Sequence, residues 1–108
     1  MSDKPLRDAL RVTVEGLREQ IPAQEPGGLR FFNHEETSFV HLRWMADHLL
    51  NNIDDFPTDK TSRWIGFIQG VLVTKGVFNA KSERDRTRPL FHEAYALMEV
   101  EIPQTVER

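Results

Sequence analysis

The sequence predicts an all-α fold, a small single-domain helical bundle of about four helices, and three observations carry that expectation. Apolar residues recur at steps of three and four in four separate stretches, the spacing that gathers them on one face of a helix. Proline, glycine and short polar residues stand between those stretches at positions suited to helix starts and stops. No two runs show the apolar/polar alternation of paired strands. With 108 residues, 39% of them hydrophobic and 29% charged, the chain is large enough for one core and too apolar for a disordered segment.

The first helix is expected over about residues 4–21. Leu6, Leu10, Val14, Leu17 and Ile21 follow at steps of 4, 4, 3 and 4. Ser2 or Asp3 suits the cap, Pro5 the first turn, and Pro22 the stop; Gly16 weakens the helix slightly. Residues 22–33, PAQEPGGLRFFN, hold two prolines and two adjacent glycines and read as a linker, with Leu29, Phe31 and Phe32 folding back onto the helices. The second helix is expected over about 35–54. Asn33 and Glu36 have capping-box spacing, with Thr37 and Ser38 as competing starts. Phe39, Leu42, Met45, Ala46, Leu49, Leu50 and Ile53 share an arc of about 140° at 100° per residue. Opposite them lie His41, Trp44, His48 and Asn51, with Val40 beside them. Either this helix is covered on both sides or Trp44 is a contact residue.

The third helix is expected over about 58–75, opened by Pro57, Thr58 and Asp59 and closed by Gly76 at C′. It is expected to be the most buried, with Trp64, Ile65, Phe67, Ile68, Val71 and Leu72 on one broad face. Its middle, RWIGFIQG, carries Gly66 and Gly70, each costing about 1 kcal/mol against alanine inside a helix. The two fall on one strip flanked by Arg63, Val73, Thr74 and Val77, a smooth groove where a neighbouring helix, a second subunit or a ligand can come close to the backbone. Residues 79–88, NAKSERDRTR, read as a charged connector in which Ser82 and Asp85 cap a short turn. A last helix over about 88–102 then follows Thr87 and Pro89, with Leu90, Phe91, Ala94, Tyr95, Leu97, Met98 and Ile102 on one face and Pro103 at its end.

Recognisable chemistry is sparse. The chain has no cysteine and so no thiolate metal site. His34, His41 and His48 are seven apart, a rise of about 10.5 Å per step, too far to share one ion. HEAYA, from His92 and Glu93, lacks the second histidine of HExxH because Ala96 stands there. Asp54-Asp55 and Glu35-Glu36 point about 100° apart on a helix and form no carboxylate dyad. There is no P-loop, dinucleotide fingerprint or GxSxG elbow. We therefore expect a non-enzymatic protein without metal or cofactor. A net charge of −3 disfavours nucleic acid, no stretch has the length of a membrane span, and MSDKPLRDALRV lacks a signal-like apolar run, so a cytoplasmic location is expected. Two cationic or polar groups remain as candidate sites. Trp44, His41, His48, Asn51 and Asp47 form a candidate partner-binding surface. Arg84, Arg86 and Arg88 form either a phosphate site or a connector charge-paired with Glu83 and Asp85.

The block RWIGFIQGVL, preceded by HLRWMADHLL and followed by ERDRTRP and an aromatic-bearing helix, resembles a recurrent segment of small accessory proteins from tailed phages and prophages, over about residues 38–95. The resemblance implies phage origin, the bacterial host cytoplasm as location, and a host protein as target, bound stoichiometrically to block defence or redirect host machinery. Gln69-Gly70-Val71-Leu72 is also similar to a step in the helical hairpin of phage cyclic-nucleotide sponges, although its spacing from Arg63-Trp64 is shorter here. That second resemblance implies a homo-oligomer, with arginines meeting the phosphates of a sequestered nucleotide. A DNA-binding phage regulator is the third reading, disfavoured by charge and by the lack of a basic helix.

Overall fold

A computed structural model describes residues 3–24 and 35–98, which form four α-helices and one 3-10 turn and, among the described residues, no strand. Helix α1 spans Lys4–Gln20, the 3-10 turn Glu35–Thr37, α2 Phe39–Asn51, α3 Thr58–Thr74 and α4 Ala80–Leu97. Leu29, Phe31, Phe32, Asn33, His34, Ile102 and Pro103 lie outside the described residues.

Helix α1 is the hub, packing against α2, α3 and α4. Its predicted stripe is the core: Leu10, Val14, Leu17 and Ile21 are buried, with Leu6 packed at the edge. The third helix is therefore not the most buried, contrary to expectation. Its buried residues are only Thr61, Ile65, Ile68 and Leu72, a stripe about 60° wide at 100° per residue. From α2, Phe39, Leu42, Met45, Ala46 and Leu49 enter the same core, joined by Ile53 from the following turn.

Polar groups fix how α1 meets its neighbours. Arg7, Arg11 and Arg18 share one side of α1, at about 0°, 40° and 20° on its wheel. The Arg7 guanidinium donates to the carbonyls of Ile53 at 2.8 Å and Phe56 at 2.7 Å, tying the α2–α3 turn to α1. Arg11 bonds Asp54 at 3.2 Å, and Arg18 pairs with Asp47. That hydrogen-bonded pairing pushes the Arg18 guanidinium further into its charged form. A bond from Lys4 holds the Asp8 carboxyl below the usual carboxylate range. Beyond α1, the Pro22 carbonyl accepts from Arg43 at 2.6 Å.

Helix boundaries follow local chemistry. Ser38, one of the competing starts, caps α2 by accepting from the His41 N–H at 3.1 Å. The helix ends at Asn51, three residues earlier than expected, because the chain turns at Asn52, whose carbonyl accepts from the Phe56 N–H at 2.9 Å. At the end of α3, Gly76 has φ +78°. The Gly76 N–H reaches the Val73 carbonyl at 3.0 Å and the Val77 N–H the Leu72 carbonyl at 2.9 Å, the paired bonds of a Schellman motif.

The expected charged connector is the largest correction. Residues 80–88 are the first half of α4, which starts at Asn79, whose side chain accepts from the Ser82 N–H at 2.7 Å. Pro89 lies inside this helix and not at its start. The charges of the segment pair along the helix, Lys81 with Asp85 at 2.9 Å and Arg86 with Glu83 at 2.8 Å, as i,i+4 and i,i+3 spacing allows. Of the residues expected on the core face of this helix, Ala94 is buried and Leu97 is 67% exposed.

Candidate functional site

The outer faces of α2 and α3 carry an aromatic cluster. Along α2, His41, Trp44 and His48 stand at i, i+3 and i+7, so their rings rise one above another. Ring centroids are 5.6 Å apart for His41–Trp44 and 5.0 Å for Trp44–His48, both stacked. Helix α3 contributes Trp64, stacked on His48 at 5.8 Å, and the turn before α3 contributes Phe56, edge-on to Trp64 at 6.2 Å. The Lys60 ammonium sits over the Phe56 ring, 4.0 Å from its centroid, a cation–π contact.

This cluster is at the surface. Trp44 is 53% exposed, Val40 69% and Phe67 42%, so α2 is not covered on both sides and Trp44 is a surface residue. Trp64 and Phe67, expected in the core, stand at its rim. Lys60, Trp64, Phe67 and Val71 form a stripe beside the buried one on α3, and that stripe is the signal that separates them from the core. His41, Met45, Arg63, Trp64 and Phe67 line a shallow depression between the two helices.

Next to it runs the glycine strip. A Cβ placed on Gly66 or Gly70 meets nothing within 4 Å, so no helix of the described chain uses the close approach these residues permit. The strip forms the floor of an open groove of about 390 Å³, lined by Thr37, Gly66, Phe67, Gly70, Val71, Thr74 and Lys75. Phe67 lines both this groove and the depression. Trp44, His41, His48, Arg63, Gly66, Gly70 and Thr74 thus occupy one continuous face.

No protein-family model matches this chain, and no curated protein or solved structure matches it significantly. What the face can do follows from its own chemistry.

Two predicted members do not belong to it. Asp47 turns toward α1 and pairs with Arg18, since at i+3 from Trp44 and i−1 from His48 it lies at the boundary with the core side. Asn51 is exposed, one turn beyond His48, and joins none of the ring contacts. The arginine cluster is also divided by helix geometry. In a helix Arg84 and Arg88 share one side while Arg86 points about 200° away. The Arg86 guanidinium lies against α1 at Gly16, where an added Cβ would stand 3.1 Å from its Cζ, and grips Glu83 with bonds of 3.0 and 2.8 Å. Glu83 is 6% exposed and also accepts from the Gln69 amide at 2.7 Å. Arg84 instead lines a second groove between α3 and α4, with Gln69, Gly70, Val73, Thr74 and Thr87 among its other walls. Among the described residues no three His, Asp or Glu side chains gather as metal ligands, and no helix is long and apolar enough to cross a membrane.

Proposed function

We propose that this chain is a phage or prophage accessory protein that acts without catalysis, by docking its α2–α3 face onto a host bacterial protein in the host cytoplasm and so inhibiting or redirecting it. The observation that carries this reading is the coincidence of exposed aromatic rings with bare backbone. Trp44, Phe67 and Val40 are each more than two-fifths exposed, and beside them Gly66 and Gly70 sit over open space. Aromatic residues that leave water on binding dominate most protein interfaces, and a contiguous apolar patch on a folded surface marks such a site. The glycines add reach, letting a partner pack against the α3 backbone itself. Phage origin rests on the resemblance of residues 38–95.

The test is capture from a bacterial lysate with the wild-type chain and with Trp44→Ala. A specific host protein retained by the first and lost by the second supports the reading; equal recovery by both, or recovery of none, contradicts it. Light scattering on the purified chain distinguishes the homo-oligomer alternative, in which the same face is buried between copies and Trp44→Ala yields monomers.

A second reading, sequestration of a cyclic nucleotide, draws support from one feature. Arg84 stands on the wall of the α3–α4 groove together with Gly70 and Thr74. Arg86 is not available to it, being held by Glu83. Melting the protein with cyclic di- and trinucleotides tests this reading, because a ligand at 100 times its dissociation constant stabilises by about 2.7 kcal/mol. Unchanged melting across the panel rejects it.

A further inference from the structure

We infer that the face formed by α1 and α4 receives a second copy of this chain, the two copies related by a twofold axis running along these helices. The inference uses none of the residues of the α2–α3 face and stands whether or not that face docks a host protein.

The two helices run antiparallel in a register that their contacts fix. Pro5, Ala9 and Val12 line one groove with Leu97, Ala94 and Leu90, and further along α1 Gly16 lies against the Arg86 guanidinium. Residues 84–88 of α4 therefore stand level with residues 14–18 of α1. The groove, about 380 Å³, is apolar along its floor and open. Val40, Trp44 and Phe67 are exposed on the α2–α3 face, and the other large apolar side chains exposed among the described residues both line this groove, Val12 at 45% and Leu97 at 67%.

Charge identifies the occupant. Glu15 and Glu19 stand one turn apart on α1, about 140° and 180° round from the buried Leu10, and Arg84 and Arg88 stand one turn apart on α4, each spacing about 6 Å. All four are exposed, and none makes a hydrogen bond or ion pair among the described residues. Their charged neighbours are already paired within the chain, Asp85 with Lys81, Glu83 with Arg86 and Arg18 with Asp47. Rotation about an axis parallel to the helices keeps every residue at its own level while it lays α1 of one copy along the outer side of α4 of the other. Arg84 then meets Glu19 of the second copy and Arg88 meets Glu15, and the symmetry repeats both pairs, as a self-complementary twofold contact requires. At the axis Val12, Leu90 and Leu97 of the two copies close the groove. Exposed ion pairs add little attraction of their own; they select the partner and its register, while the apolar contact drives association.

The same observations argue against other occupants. Nucleic acid or an anionic membrane would meet Glu15 and Glu19, with Glu93 on the groove rim, as well as the arginines. A partner that satisfies both pairs must carry both signs at the same spacing, and this chain does.

The experiment follows the mass of the full chain by light scattering as concentration rises into the high micromolar range. Wild type should pass from one copy to two, and Trp44→Ala should do the same. Arg84→Glu/Arg88→Glu and Glu15→Arg/Glu19→Arg should each raise the dissociation constant about tenfold or more, because each sets like charges face to face. Arg84→Gln/Arg88→Gln, which only removes charge, should weaken the dimer in the same direction and by less. An equimolar mixture of the two reversed variants should recover the dimer, since each copy supplies what the other lacks; circular dichroism checks that each is folded. Wild type that stays monomeric throughout, a dimer indifferent to both reversals, or reversed variants that fail to combine overturns the inference. So does a dimer lost on Trp44→Ala, which places the contact on the α2–α3 face, or a monomer whose retention on immobilised duplex DNA or anionic vesicles depends on Arg84 and Arg88.

Discussion

Gly66 and Gly70 weaken the helix that contains them, and nothing within the described chain compensates for that. Replacing either with alanine should therefore stabilise the isolated protein by about 1 kcal/mol, measured by urea denaturation, because the added Cβ enters open space. Gly76 is the opposite case. At φ +78° a side chain strains the backbone, and Gly76→Ala should cost about 1–2 kcal/mol in the same assay. Thr61 presents a third kind of position. It is 1% exposed and its hydroxyl has no hydrogen-bond partner among the described residues, so the isosteric Thr61→Val should leave stability unchanged or raise it by about 1 kcal/mol. A loss of more than that would mean that the hydroxyl has a partner. The sequence displays all three residues, but it makes only Gly76 legible, through its place after a helix. Whether a glycine in mid-helix touches another helix is a tertiary fact, and Gly16 shows how the pattern misleads: it lies beneath the Arg86 guanidinium, while the paired glycines of α3 lie beneath nothing.

Helix α1 is held to the rest by its arginine stripe as well as by its apolar one. Truncating Arg7 to alanine strands the Ile53 and Phe56 carbonyls that it now serves and should destabilise by about 2 kcal/mol, with lysine restoring only part because it lacks the guanidinium fork. The contact of α1 with α4 yields a coupled pair. Gly16→Ala displaces Arg86 from the buried Glu83 and should cost about 1 kcal/mol, whereas in an Arg86→Ala background the same change should become stabilising, as alanine normally is in a helix. Additive effects in that double-mutant cycle would contradict the close approach. Apolar periodicity places α1 and α3 to within one residue and α2 to within four, and it names nearly all of the α1 and α2 core. It failed on α4 because Pro89 and a dense run of charges imitate a linker. The Asn79 cap and the Lys81–Asp85 and Glu83–Arg86 pairs, visible only once the segment is read as helical, were the opposing signal.

The assembled molecule has two unlike sides. Arg18 and Arg11 of α1 bind Asp47 of α2 and Asp54 of the turn after it. The opposite side of α2, with the outer side of α3, keeps its rings and bare backbone exposed. The wheel of α2 sets Trp44, His41 and His48 opposite its apolar arc but leaves open whether another layer covers them; their exposure is a tertiary fact. That Trp64 and Phe67 join them was hidden, because an aromatic at the edge of a helix's apolar arc looks the same whether a third layer covers it or not. If this face exists to receive a partner, the glycines are retained against their cost to the helix, and stability and binding should move in opposite directions when they are filled. The decisive measurement is therefore made on the Gly66→Ala/Gly70→Ala double variant, comparing urea stability with lysate capture against wild type. The account predicts a protein more stable by about 2 kcal/mol that no longer retains its host partner. A less stable protein, or one that captures the partner as well as wild type, would contradict it.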